Sequence, residues 1–175
     1  YSPPALGLYL SWGFRLRRKE SLTWVPLAVG VVVAEVLEIY CGKKRVQLKW
    51  PNDVLINGRK VAGILSESRL TQEDAVCICG IGINLNQVED DFPPNLALSA
   101  TSLRLSCGKC PSPQEVLSLI LKRLTEILSD LEKQRIHDLR ARVRRLTKWM
   151  RSGSLSFQQG KERYKGRFRG IAVDG

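Results

Sequence analysis

The sequence predicts an α+β fold, in which helices pack on a mixed or antiparallel β-sheet. Two apolar segments, Val54–Ile56 and Arg59–Ser68, flank Asn57-Gly58, and an Asn-Gly pair supplies the positive φ angles of a type I′ hairpin turn. From Pro113 to Lys133 the apolar residues recur at the period of a helix. Several short apolar stretches between these two regions are typical of strands. A length of 175 residues fits one domain and the start of a small second one.

The other strands follow from local composition. Apolar, aromatic and β-branched residues favour strands, whereas glycine and short polar residues disfavour them. They predict strands at Leu8–Phe14, Val46–Lys49, Ala75–Leu85 and Leu98–Leu105.

Two further helices are predicted. The first is Trp24–Tyr40, with Thr23 as N-cap, Pro26 in the first turn and Gly42 just past the end. The second is Ile136–Met150.

The pattern changes after Ser152-Gly153, to short strands around Leu155–Phe157 and Tyr164–Val173. We therefore predict a main domain at residues 1–150 and part of a second domain at residues 151–175.

Membrane insertion is not expected. The longest apolar run, Val25–Ile39, is interrupted by Pro26, Gly30 and Glu35, which favours a buried amphipathic helix over a membrane span. Tyr1-Ser2-Pro3 does not resemble the start of a signal peptide. We expect a soluble, cytoplasmic protein.

The five cysteines are an odd number, which in a chain of this kind predicts free thiols in a reducing compartment. Cys107-Gly-Lys-Cys110 has the spacing of half a zinc site or of a redox pair. With His137 as the one histidine, a zinc site would need Cys77 or Cys79, and both lie on a predicted buried strand. We interpret Cys107 and Cys110 as ordinary loop cysteines.

The net charge of +11 is concentrated at one end. Residues 139–175 hold eleven Lys or Arg against two acids, whereas residues 1–138 hold 17 basic and 15 acidic side chains. Such a basic stretch is typical of a phosphate-binding surface, of a surface that attracts an acidic protein, or of a solvated helix face.

The hairpin allows a geometric prediction. With a two-residue turn, Leu55 pairs with Lys60 and Asp53 with Ala62, so that all four residues share one face. Asp53 and Lys60 become diagonal neighbours, roughly 7 to 8 Å apart at the backbone. Either they form an exposed ion pair or both contact a ligand, and the small residues Ala62 and Gly63 leave room there.

A second constraint comes from Gly80, Gly82 and Asn84, which alternate along one predicted strand with Ile81 and Ile83 on its other face. Alternate glycines indicate close approach to the backbone by a ligand, a helix or a bulge. Because no third glycine and no helix follow, this is not a dinucleotide-binding motif.

Four segments occur together in the order and approximate spacing of one family. They are Tyr1-Ser-Pro with Leu8-Tyr-Leu-Ser, Lys49-Trp-Pro-Asn-Asp53, Lys60-Val-Ala-Gly-Ile-Leu65 and Gly80-Ile-Gly-Ile-Asn84. In these segments the chain resembles the biotin protein ligases, clearly to about Leu131 and more loosely beyond. The related lipoate ligases share the fold but lack the Trp-Pro-Asn-Asp signature.

The resemblance implies a two-step reaction, in which biotin and MgATP form biotinyl-5′-adenylate and the biotinyl group then passes to a lysine of a biotin carboxyl carrier protein. It implies that Lys60 contacts the biotin carboxylate and the adenylate phosphate. Lys49, Asn52 and Asp53 would line the nucleotide and metal side, with Asp53 as a Mg²⁺ ligand and as a group that helps to deprotonate the acceptor lysine.

By the same resemblance, Asn84 would lie near the phosphates, and Gly63 and Leu65 would form backbone and apolar wall around biotin. A homodimer is compatible with the family, and nucleic acid stays open as a partner.

Two departures from the family pattern set expectations for the whole chain. The family's Gly/Arg-rich loop would precede Tyr1, and its small SH3-like C-terminal β-barrel would start near Leu155 and continue past Gly175. We therefore expect these residues to be the larger part of a catalytic domain and to have little activity alone. The alternative hypothesis is a non-catalytic basic module that binds nucleic acid or protein on the same scaffold; intact Asp53, Lys60 and Asn84 favour the ligase.

Overall fold

The computed structural model describes residues 6–147, 154–160 and 162–172. Its main sheet has five antiparallel strands in the order β1-β5-β4-β3-β2. Their bounds are β1 Gly7–Leu16, β2 Val46–Lys49, β3 Asp53–Ile56, β4 Arg59–Leu70 and β5 Ala75–Asn84. The α+β prediction is confirmed, with an antiparallel sheet.

Helices cover one face of this sheet. Within the described residues they are α1 Val25–Cys41, α2 Leu103–Cys107, α3 Pro113–Glu132 and α4 Ile136–Leu146. Helix α1 contacts β2, β3 and β4, α3 contacts β1, and both α3 and α4 pack on α1. The other face of the sheet is left open in its central part, and this open face carries the site described below.

Helix α1 is buried as predicted, but around most of its circumference, so the expectation that it is amphipathic is wrong. Together with the preceding 3-10 turn, Lys19–Cys41 is apolar and long enough to cross a membrane by composition, but 72% of its most apolar window is buried in the fold. Thr23 is not the N-cap, because the 3-10 turn Lys19–Trp24 runs directly into α1. Gly42 ends the helix as predicted, with a φ of 80°.

The strand predicted at Leu98–Leu105 is wrong. Ser102 caps a short helix instead, since its hydroxyl accepts a hydrogen bond from the Leu105 N–H at 3.1 Å. This local cap satisfies a free backbone donor, and it outweighs the strand preference of the apolar residues around it.

Two of the basic residues in the C-terminal stretch are neutralised by α1. Arg142 donates two hydrogen bonds to Glu35, at 2.9 and 2.8 Å, and Arg145 donates to Glu38. Arg123 also reaches Glu35, at 3.4 Å. The charge of this stretch is therefore only partly available to partners.

Beyond α4 lies a separate two-stranded antiparallel ribbon, β6 Ser154–Gln159 and β7 Glu162–Arg167. It confirms both predicted strands, although β7 ends before residues 168–172, which were predicted to continue it. Helix α4 ends at Leu146 with Thr147 as its C-cap, so the predicted end at Met150 is too late. Residues 148–150, the proposed boundary at Ser152-Gly153, and Val173 lie outside the described residues. The division into two domains and the SH3-like barrel stay predictions.

Cys41 and Cys107 form a disulfide with Cα atoms 5.4 Å apart, so the prediction of free thiols is wrong for these two residues. It fails because the partners are 66 residues apart in sequence and meet only when α2 packs on α1. Cys77 and Cys79 are free and buried, and Cys110 is free and exposed. Cys107 is thus not half of a pair with Cys110.

Candidate active site

One row of residues crosses all five strands on the open face of the sheet. Strand pairing places Tyr9 beside Gly82, Gly82 beside Gly63, Gly63 beside Asp53, and Asp53 beside Lys49. The two central residues have no side chain, so the backbone is bare between an aromatic ring on one side and two charged groups on the other. The alternate glycines thus leave room for a ligand to approach the backbone closely.

A cavity of about 880 Å³ lies over this row. Lys49, Asp53, Lys60, Gly63 and Asn84 line it. A neighbouring cavity of about 550 Å³ shares Lys60 and Gly63 with it and adds Asn52 and Leu65. The structure therefore brings all the predicted site residues to one continuous surface; their chemical roles stay predictions.

Lys60 and Asp53 form the central charged pair. The Lys60 Nζ atom lies 2.5 Å from Asp53 Oδ1, and the lysine side chain is 48% exposed. A Cβ atom at residue 63 would lie 3.1 Å from that nitrogen, so the glycine is what lets the amine lie flat against the sheet. The amine keeps N–H groups to offer to an anion in the cavity, because an ammonium has three donors.

The predicted register of the hairpin is correct at the turn and wrong beyond it. Leu55 pairs with Lys60, but a shift between Val54 and Leu55 places Asp53 opposite Gly63 instead of Ala62. A bulge of this kind adds a residue on one strand and re-aims the side chains next to it. The shift moves Asp53 to the bare part of the row, and the ion pair forms from there.

The far side of the cavity is a segment that sequence reasoning did not assign to the site. We call residues 92–100 the wall segment; Phe92, Leu96, Ser99 and Ala100 of it line the cavity. It is tied to the hairpin by backbone hydrogen bonds of 2.8 Å from Lys60 N–H to the Ser99 carbonyl and from Thr101 N–H to the Lys60 carbonyl.

Arg59 adds a third tie between the hairpin and the wall segment, because its guanidinium donates to the Ala97 carbonyl at 2.5 Å. Arg59 and Lys60, which are adjacent in the hairpin, thus both connect it to the wall segment by hydrogen bonds. Tyr9 was also missed as a lining residue, although its alternation with Leu8 and Leu10 on a predicted strand put it on the other face from the core.

The two predicted asparagines have structural partners. Asn52 donates to the Ile64 carbonyl at 2.8 Å and so fixes the entry to the hairpin. Asn84 donates to the Thr101 carbonyl at 3.0 Å and accepts from Gln87 at 3.2 Å, which joins β5 to the end of the wall segment. Each amide therefore connects two segments that line the cavities, without a ligand present.

Comparison with solved structures decides the family. The crystal structure of the biotin protein ligase from Aquifex aeolicus superimposes with a TM-score of 0.77 at 32% sequence identity, over 97% of this chain and 74% of that one.

The chain belongs to the biotin protein ligase family.

Other comparisons agree with this family. The sequence model of the Biotin/lipoate A/B protein ligase family matches residues 6–84, which hold every predicted site residue. The bifunctional ligase/repressor BirA of Bacillus spizizenii is 41% identical over 115 residues, 62% of this chain and 34% of that protein. The Aquifex aeolicus ligase in complex with biotin and ATP gives a TM-score of 0.77 at 31% identity, over 95% of this chain and 68% of that one.

The chain spans about a third of the length of the curated ligase/repressors it matches, 34% and 31% for the two Bacillus proteins.

Proposed function

We propose that this chain carries the biotin- and ATP-binding core of a biotin protein ligase. In this proposal biotin and MgATP give biotinyl-5′-adenylate and pyrophosphate, and the biotinyl group then passes to a lysine of a biotin carboxyl carrier protein in the cytoplasm, with release of AMP. The observation that carries it is the Lys60 amine beside the bare Gly63–Gly82 strip, held by Asp53 and facing a cavity of suitable size. The solved relative with biotin and ATP supports the choice of ligands.

The first step joins two anions, because the biotin carboxylate must approach the α-phosphate. A fixed cation lowers the barrier by stabilising the charge that develops where they meet. Lys60 is the candidate, since its backbone is clamped to the wall segment and its amine is held by Asp53. Lys49, at the end of the same row, would add charge on the nucleotide side.

Magnesium would enter as part of MgATP and reduce the charge on the phosphates. Within the described residues no group of three or more His, Cys, Asp or Glu forms a protein metal cage. That fits Mg²⁺, which usually keeps several waters and is held by one or two carboxylates and the substrate phosphates. Asp53, which lines the cavity, would be its protein ligand.

Asp53 would serve the second step as well. An acceptor lysine must lose a proton before its amine attacks the mixed anhydride, and a carboxylate in the cavity can take it. Once the Lys60 amine is drawn to the adenylate, Asp53 is released from its present partner.

The test is biotin-dependent exchange of pyrophosphate into ATP by the full-length protein. Lys60→Ala should slow this exchange at least ~100-fold, the usual scale for removing one preorganised charge. Lys60→Arg keeps the charge but changes the shape, and should recover part of the loss.

Lys109→Ala, which removes an exposed lysine outside the cavity, is the matched control and should leave exchange unchanged. Exchange at the wild-type rate in Lys60→Ala would remove Lys60 from the mechanism.

A further inference from the structure

The arginines of α4 fall into two rows. Arg142 and Arg145 face α1 and are neutralised by Glu35 and Glu38. Arg140 and Arg144, one helical turn apart, are exposed on another side of the helix, next to Leu139 and Val143 of the buried face. One row therefore stabilises the fold, and the other is turned away from it.

The second row lines a separate cavity of about 490 Å³, which we call the basic cleft. Its opposite side is residues 169–171, so that Arg140 and Arg144 share it with Arg169, and His137 lies at its end. No acidic residue lines it in the part of the chain that the structure describes, and no ion pair joins any of the three arginines to an acid there. Arg140 also borders a smaller cavity that contains Glu20.

The ribbon that precedes Arg169 in sequence carries a second row of basic residues. Arg163, Lys165 and Arg167 alternate along β7 and so lie on one face of it. Their cross-strand partners in register are Gln158, Ser156 and Ser154, none of them acidic. Six basic residues at this end of the molecule, three in the cleft and three on the ribbon, are thus available to an anionic partner.

We propose that the basic cleft and the basic face of β7 bind the phosphate backbone of duplex nucleic acid. Arginine suits this ligand, because its planar guanidinium matches phosphate oxygens with two donors. Phosphate contacts need no apolar anchor, and they supply most of non-specific affinity.

The lining of the cleft argues against two other anionic partners, an acidic protein and single-stranded nucleic acid. Protein interfaces depend on buried aromatic and apolar anchors, but among the described residues that line the cleft there is no Phe, Tyr or Trp, Val143 is only 1% exposed, and Ile171 is half-buried. Single strands are bound by stacking successive bases on aromatic rings, and the described lining offers only the imidazole of His137 for this. A duplex, with its bases already stacked, needs only the charges.

The proposed surface is separate from the candidate active site. The basic cleft lies in the helical layer on α4, the ligand cavity lies on the open face of the sheet, and they have no lining residue in common. Binding of nucleic acid is therefore an additional property and does not depend on the proposed ligase activity.

The test measures fluorescence anisotropy of a labelled random-sequence DNA duplex with the full-length protein, as a function of salt. Each phosphate contact contributes about 0.9 to the slope of log affinity against log salt concentration. The triple variant Arg140→Gln/Arg144→Gln/Arg169→Gln should therefore bind at least ~10-fold more weakly, with a slope lower by about 3.

The control is Arg69→Gln/Lys109→Gln/Lys122→Gln, which removes the same charge from exposed positions outside the cleft and the ribbon. It should keep the wild-type slope, and equal losses in both triples would overturn the proposal. If the first triple fails to fold, Arg144→Gln and Arg169→Gln singly should each lower the slope by about 1. Equal or tighter binding of polyglutamate, or of a single strand of the same length, would also overturn it.

Discussion

Lys60 is held from three directions. Its backbone N–H and carbonyl bond to the wall segment, its amine pairs with Asp53, and the missing side chain at Gly63 gives the amine its place. The side chain of a lysine on an exposed strand would otherwise sample many rotamers, and restricting it to one conformation costs conformational entropy. The fold therefore fixes the amine before any ligand arrives, which is the condition for electrostatic stabilisation at a reacting centre.

Gly63→Ala tests this placement with one methyl group. The new Cβ would lie 3.1 Å from Lys60 Nζ and 3.2 Å from Cε, so the amine must shift by a few tenths of an ångström from its place against the sheet. Because the displaced group is the end of a flexible chain, the free energy of unfolding should change by less than about 1 kcal/mol. Pyrophosphate exchange should fall by about 10- to 100-fold, since small displacements of reacting groups are costly.

Gly13→Ala is the control, because its Cβ would meet only the Cys77 carbonyl, 4.0 Å away, on the same face of the sheet. It should retain exchange activity. Unchanged exchange in Gly63→Ala would mean that the position of the Lys60 amine does not matter.

For single residues, the sequence predicts which side chains are neighbours better than it predicts their exact register in the sheet. The Asn57-Gly58 turn was enough to predict that Leu55 pairs with Lys60 and that Asp53 lies near Lys60, because a two-residue turn fixes the pairing next to it. The bulge that brings Asp53 opposite Gly63 depends on packing across three strands, and no local pattern encodes it.

Strand β5 shows how one element separates the core from the site. Its odd-numbered residues, from Ala75 to Ile83, are buried against the helices, and its even-numbered residues lie on the other face. The period of two is visible in the sequence, so the split between Gly82 and Ile83 was predictable. The wall segment has no such period, and its place depends on backbone bonds to β4.

The buried face of β5 also makes stability sensitive to alkaline pH. Burial, together with the nearby Cys79, raises the pKa of the Cys77 thiol from 9.0 to about 11. Between pH 9 and 11 the unfolded chain loses this proton while the folded chain keeps it, so the free energy of unfolding falls as the pH rises through that window.

Urea unfolding at several pH values from 8 to 11 measures this slope. Cys77→Ala should make the decline shallower, because one of the two thiols whose pKa burial raises is gone and only Cys79 is left. Cys110→Ala removes an exposed thiol and should leave the slope as in the wild type. A decline equally steep in Cys77→Ala would assign it to other groups.

For the molecule as a whole, the disulfide joins two helices that are far apart in sequence. It links the end of α1 to the end of α2, across 66 residues. Cross-linking stabilises chiefly by restricting the unfolded chain, and a loop of this length corresponds to about 4 kcal/mol in the chain-entropy estimate. An odd cysteine count and the distance in sequence concealed this pairing, whereas the hairpin turn and the helical period did predict the fold class, and the charge distribution did predict the basic end.

Reduction should therefore lower the free energy of unfolding by about 2–4 kcal/mol. Urea titrations with and without dithiothreitol measure the difference. The double variant Cys41→Ser/Cys107→Ser should match the reduced protein, and Cys110→Ser should match the oxidised one. Identical unfolding curves in oxidised and reduced protein would show that the bond does not stabilise the fold.

The same bond makes the ligand cavity part of a closed covalent ring. Every residue named above as lining that cavity, except Tyr9, lies between Cys41 and Cys107. Leu98, in the wall segment, is 91% exposed and is the natural place for a protease to cut. One cut there opens the ring without releasing a piece, so the nicked protein should run as a single full-mass band on a non-reducing gel. Dithiothreitol should then divide it into two fragments that meet at Leu98, one carrying Lys60 and the other carrying the basic cleft.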